Sequence, residues 1–167
     1  IFVGQVLRVR PGLNDSPRGT IHFSVNVQQF ERGFMIWYPD VGDIWVYFGQ
    51  SGGRVSRFLV RNYSRLPDNP VSTIPPTGRI RPVMGFGKVW GNYPLVRAAL
   101  GWATSPEHSY VMQFSDTNSG VFYASLPDGR KVVVTPSFLW GIYVPQGSGG
   151  ASVITTKAAY QLFENGF

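Results

Sequence analysis

Apolar and polar residues alternate along Thr20–Phe30, with Ile21, Phe23, Val25 and Val27 on one side and His22, Ser24, Asn26 and Gln28 on the other. A period of two over eight residues predicts a half-buried strand. Glu31-Arg32-Gly33 reads as a turn, Phe34–Tyr38 as the return strand, Pro39–Asp43 as a second turn and Ile44–Phe48 as a third strand. The pattern is a meander with short loops. Trp37 and Trp45 fall one to each strand and are expected to pair across them. Arg54–Tyr63 reads as a weaker strand or an irregular segment.

The meander carries a phrase that recurs. V-Q-Q-F-E-R-G-F at Val27–Phe34 returns as V-M-Q-F-S-D-T-N-S-G-V at Val111–Val121 and as Y-Q-L-F-E-N-G-F at Tyr160–Phe167. Each copy has a Gln, a Phe, a polar stretch, a Gly and a large apolar residue. Tyr110–Phe114, Val121–Ser125 and Lys131–Thr135 restate the three strands, and the third copy stops where its second strand should begin. Between the copies, Ser64–Arg81 contains four prolines, which exclude a helix or a central strand and leave an extended connector. Pro94 opens a helical stretch that ends at Leu100, with Gly101 where a left-handed cap belongs. The expected fold is mainly β, with repeated antiparallel hairpins and one short helix near 93–101. Its segments are a terminal strand (1–12), a first hairpin repeat (19–63), the connector (64–81), a helix plus second repeat (82–145) and the start of a third (152–167).

Composition sharpens this. Aromatic residues make up 15% of the chain and charged residues only 14%, with 20 Gly and 13 Pro, a balance that favours strands and tight loops. The absence of Cys excludes disulfides and thiolate metal sites. No run of 18 apolar residues occurs, so no membrane span is expected. The net charge is +6, but the basic residues are spread in ones and twos, and no nucleic-acid-binding fingerprint accompanies them, so a nucleic-acid partner is not expected. The chain opens on Ile1 inside an apolar run, which suggests a processed product or a piece of something longer.

No catalytic signature stands out. Glu31 and Glu107 are the carboxylates that a glycosidase reading would nominate, yet nothing in their spacing supports a pair. His22 and His108 are far apart, so no metal is expected. Asp40-Val41-Gly42-Asp43 lacks the frame of a calcium loop and reads as a turn. Gly85–Lys88, G-F-G-K, is too short for a phosphate-binding loop, and its glycines are expected to serve a turn. No enzyme activity and no cofactor are expected.

Two segments carry resemblances. F-V-G-Q-V-L-R-V, within Ile1–Arg10, resembles the last strand of a LysM module, and an ordinary strand pairing within this domain is the other reading. L-G-W-A-T-S-P-E, beside W-G-N-Y-P, is similar to the LGFP type of repeat, with Ala103 standing where that repeat has Pro. The first resemblance implies a neighbouring module that binds N-acetylglucosamine polymers. The second implies an exported bacterial protein, extracellular or on the cell surface. Two functions follow as expectations. The leading one is a non-catalytic structural protein that self-associates through open β-edges, a route that can extend into a filament. Ile1, Val3, Val6 and Leu7 would be the donor strand, and Tyr160, Leu162, Phe163 and Phe167 the open edge. The alternative is a module that binds peptidoglycan or an anionic polysaccharide, with Trp37, Trp45, Trp90, Trp102 and Trp140 as stacking platforms. A glycan-active hydrolase is third.

Overall fold

Two four-stranded meanders close on each other. The computed structural model describes residues 18–143 and two short terminal strands, β1 (Gln5–Val6) and β10 (Lys157–Ala158). The first meander comprises β2 (Ile21–Phe30), β3 (Gly33–Tyr38), β4 (Asp43–Phe48) and β5 (Gly52–Phe58). The helices α1 (Val60–Tyr63), α2 (Met84–Asn92) and α3 (Pro94–Leu100) follow. The second meander comprises β6 (His108–Asp116), β7 (Phe122–Ser125), β8 (Lys131–Val134) and β9 (Leu139–Tyr143). The eight strands β2 to β9 form a closed antiparallel barrel in the order β2-β3-β4-β5-β9-β8-β7-β6.

The closure explains why the phrase is repeated. The first strands of the two meanders pair, with Ile21 opposite Phe114 and Val27 opposite His108, and so do the last, with Gly52 opposite Gly141. First-to-first and last-to-last pairing is what a two-fold axis produces. Each meander alone would leave two open edges, and each covers the other's. The mainly β expectation therefore holds, with both repeats contributing to one barrel.

Alternation along the strands sets two cores. Val25, Val27, Phe34, Ile36, Tyr47, Met112, Val132, Val134 and Trp140 fill the barrel interior. The opposite faces of β3 and β4 present Met35, Ile44 and Val46 to a helical layer built on Phe86, Val89, Trp90, Val96 and Leu100. Burial on both faces accounts for the nearly continuous apolar runs of β3 and β4. The register sets Trp45 opposite Ile36 and Trp37 opposite Ile44. The two tryptophans thus stand one residue out of step and lie on opposite faces of the sheet, so the expected cross-strand pair does not form.

The helical layer contains more than was legible. α3 matches the expected helix, and Gly101 follows it at φ +72. α2 occupies the stretch where turns were expected around Gly85–Lys88. A Cβ at Gly87 would come within 2.7 Å of the Pro82 carbonyl oxygen, and one at Gly91 within 2.8 Å of Pro70 Cδ. These glycines let α2 press against the connector, a packing gain that outweighs their poor helix propensity. The connector is tied down in turn. Asn69 Nδ2 donates to the Pro82 carbonyl (3.0 Å), and Lys88 Nζ donates to the carbonyls of Ser64 and Leu66 (2.8 and 2.9 Å). The ambiguous Arg54–Tyr63 divides into most of β5 and α1.

Outside the barrel, β1 and β10 form a separate antiparallel pair, with Gln5 opposite Ala158 and Val6 opposite Lys157. Ile1, Val3, Leu7, Tyr160, Leu162, Phe163 and Phe167, and with them the third copy of the phrase, lie outside the described residues. Among the described residues no helix is long and apolar enough to cross a membrane.

Candidate functional site

The end of the barrel where β2 begins and β3 finishes is lined with aromatic side chains. Five of them form a closed circuit. Phe23 meets Tyr38 with ring centroids 6.1 Å apart, Tyr38 meets Trp45 at 5.9 Å and Trp45 meets Phe122 at 5.5 Å. Phe122 meets Phe114 at 5.2 Å, and Phe114 returns to Phe23 at 6.0 Å. The inward-facing positions of β2, β3, β4, β7 and β6 each supply one member. All five are half-buried, so their rims reach solvent. Centroid spacings of this size are typical of attractive tilted and edge-to-face pairs.

Phe138, from the β8–β9 turn, is set above this circuit with its ring centroid 6.1 Å from that of Trp45. It is 46% exposed and has φ +57, the left-handed region that a bulky side chain normally avoids. Hydrogen bonds on both sides hold it there. Its N–H donates to the Thr135 carbonyl (2.9 Å), and its carbonyl accepts the Val55 N–H (2.8 Å). A strained residue that leaves half of a large apolar side chain in water points to a role in contact with something else.

A charged pair flanks the aromatics. Arg57 of β5 lies over the Trp45 ring, 5.7 Å from its centroid. Its Nε donates to Asp43 Oδ2 (2.8 Å), and its Nη2 lies 2.6 Å from the same oxygen as an ion pair. Asp43 is 3% exposed, and its Oδ1 accepts the Val60 N–H (3.0 Å), which fixes the start of α1. The phenol of Tyr38, itself in the circuit, neighbours those of Tyr47 and Tyr110. Burial pushes Tyr38 up to about 12 and also raises Tyr47 and Tyr110, with the neighbouring Tyr38 adding to the rise in both. Tyr110 Oη donates to the Ser125 carbonyl (2.9 Å). The buried Tyr47 hydroxyl neighbours that of Tyr38, whose proximity adds to the rise in its pKa.

At the other end, the Glu31–Arg32 turn of the first phrase grips the L-G-W-A-T-S-P-E segment. The Glu31 N–H donates to the Trp102 carbonyl (3.0 Å), and Glu31 Oε2 accepts the Trp102 N–H (3.1 Å). Arg79 Nε donates to Glu31 Oε1 (2.6 Å). Arg32 reaches the carbonyls of Ala98 and Ala99, closing the end of α3 (2.8 and 2.9 Å). The hydrogen bond from Arg79, followed by that from the Trp102 N–H, lowers the pKa of Glu31. A small open cleft here is lined by Gln29, Glu31, Gln50 and Arg130, but Glu31, Gln50 and Arg130 are already engaged, Gln50 with the Glu31 carbonyl and Arg130 with Asp128. Two motifs that stand out separately in the sequence are thus partners in the fold.

The expected site residues scatter. Trp90 and Trp140 are 1% and 0% exposed, with indole N–H groups donating to the carbonyls of Gly101 (2.7 Å) and Phe48 (2.8 Å). Both are core residues and offer no face to a sugar. Trp37 and Trp102 are half-buried against the helical layer, where Trp102 packs on Trp90 at 4.9 Å. Trp45 alone of the five belongs to the aromatic circuit. Glu107 accepts a hydrogen bond from Asn26 Nδ2 (2.6 Å), while Glu31 serves the Arg79 contact, so each carboxylate has its own structural partner. Among the described residues no group of three or more His, Cys, Asp or Glu could hold a metal ion. Sequence reasoning missed Phe23, Tyr38, Arg57, Phe114, Phe122 and Phe138 as members of one site. The available signal was Phe138, a large apolar residue in the Thr135–Leu139 turn, where polar residues are usual. No protein-family model matches this chain, and neither a curated protein nor a solved structure matches it.

Proposed function

We propose that this chain is a non-catalytic binding module of the cell surface, and that the aromatic end of the barrel is where it meets a cell-wall glycan. The observation that carries the reading is Phe138, held in a strained conformation and half exposed above the Phe23-Tyr38-Trp45-Phe122-Phe114 circuit. Sugar rings present flat C–H faces that stack on aromatic side chains, and their hydroxyls require a few polar groups at the edge, which the Arg57–Asp43 pair supplies. The LysM-like and LGFP-like segments support the same class of ligand. Co-sedimentation with purified peptidoglycan tests the reading. The wild-type protein should be retained, and Phe138→Ser should be retained at least about tenfold less. Equal retention of both proteins, or none of either, rejects it.

Self-association is the second reading, favoured by the β1–β10 pair. Strands β2 to β9 close on themselves and leave no free edge, so strand exchange would have to use the short terminal pair, with Gln5 meeting Ala158 of another copy instead of its own. Light scattering over a concentration series tests it, and a particle that stays monomeric at high concentration rejects it.

A further inference from the structure

We infer that the saccharide taken at the aromatic end carries a carboxylate on its stacked ring and that Arg57 recognises it; this rests on the glycan reading above. Two of the three guanidinium nitrogens of Arg57 are committed to Asp43. The third, Nη1, has no partner among the described residues, and the side chain is 44% exposed. The guanidinium is therefore held in a fixed plane over Trp45, with one donor edge open at the rim of the aromatic circuit. A neutral ring laid beside it would exclude water and leave that donor without a strong acceptor, which costs binding energy. A cationic ligand would meet a cation already lying over the Trp45 face. A carboxylate supplies a charge-assisted hydrogen bond in the planar geometry that guanidinium favours. The surrounding charge is compatible. Arg18 and Asp116 pair with each other, and Asp40 is exposed in the β3–β4 turn. Arg61 of α1, the residue after the Val60 that donates its N–H to Asp43, is exposed and without partners among the described residues.

The test compares two forms of one ligand on the wild-type protein: glycan strands freed of peptide, with their lactyl carboxylates exposed, and the same strands with those carboxylates reduced to alcohols. Calorimetric titration at physiological salt should give at least about tenfold tighter binding to the acidic form. Arg57→Lys, which keeps the charge but loses the planar fork, should erase most of that preference, with circular dichroism showing that the barrel is retained. Poly-glutamate, a polyanion without rings, should show no Phe138-dependent binding. Equal affinity for acidic and reduced strands overturns the carboxylate assignment and leaves the glycan reading standing. Binding of neither form overturns both. A preference that survives Arg57→Lys removes Arg57 from the role.

Discussion

Replacing Phe138 by Asn separates the two reasons a protein could have for holding an aromatic ring in a left-handed turn. If the ring is there to pack, its loss should destabilise the barrel. If it is there for a ligand, stability should hardly change. A bulky residue at φ +57 carries a backbone cost of about 1–2 kcal/mol, which Asn, tolerant of this region, largely relieves. Full burial of a Phe side chain contributes about 1.5–3 kcal/mol, and Phe138 leaves 46% of its surface in water, so its packing contributes roughly 1 kcal/mol. The two terms oppose each other and nearly cancel. Phe138→Asn should therefore lie within about 1 kcal/mol of the wild type, a shift of no more than about 2–4 °C in Tm for a chain of this size. Trp140→Ala, at a fully buried position, is the contrast and should cost about 3–5 kcal/mol. Urea and thermal unfolding followed by tryptophan fluorescence measure both. A loss above about 2 kcal/mol for Phe138→Asn would refute the reasoning, because the ring would then be a core residue whose strain is offset by packing. Unchanged stability together with unchanged retention on peptidoglycan would refute the binding role.

Other consequences follow from the same geometry. Gly101→Ala should destabilise by about 2–3 kcal/mol in urea unfolding, because φ there is +72 and the new Cβ would overlap the Glu31 carboxylate. The pKa of Glu31 is lowered below 4.5 in the folded state, chiefly by Arg79. Its contribution is therefore present above the unfolded value and is lost as pH falls through the folded one, so Glu31→Gln should flatten the acid limb of a stability–pH curve. The reverse holds for Tyr38, raised from 10.0 to about 12. Its contribution is full below pH 10.0 and is lost as pH rises through about 12, so phenolate absorbance from Tyr38, with that of the raised Tyr47 and Tyr110, should lag behind that of the unfolded chain.

Much of the architecture was legible because it is written in local pattern. Alternation from Ile21 to Gln28 marks β2, and Glu31-Arg32-Gly33 marks its turn. Pro94 and Gly101 bracket α3. The repeated phrase announced two finished hairpins and the start of a third; the two are present, and the third copy lies outside the described residues. α2 was missed for a physical reason: Gly85, Gly87 and Gly91 signal turns by propensity, and only the approach of Pro82, Asn69 and Pro70 makes glycine the residue a helix needs there.

The sequence by itself determined that this is a mainly β protein of two like meanders, rich in aromatic residues and poor in charge. It could not determine which faces those residues take. A strand's two faces differ by a single residue of register, so Trp37 and Trp45 are equivalent as letters but lie in different cores. Nor does a meander state what covers its edges; here each edge of one repeat is closed by the other. The candidate site depends on both decisions. Phe23, Tyr38, Trp45, Phe114 and Phe122 come from five strands separated by up to a hundred residues, and they meet only because the barrel closes and turns one alternate face of every strand inward.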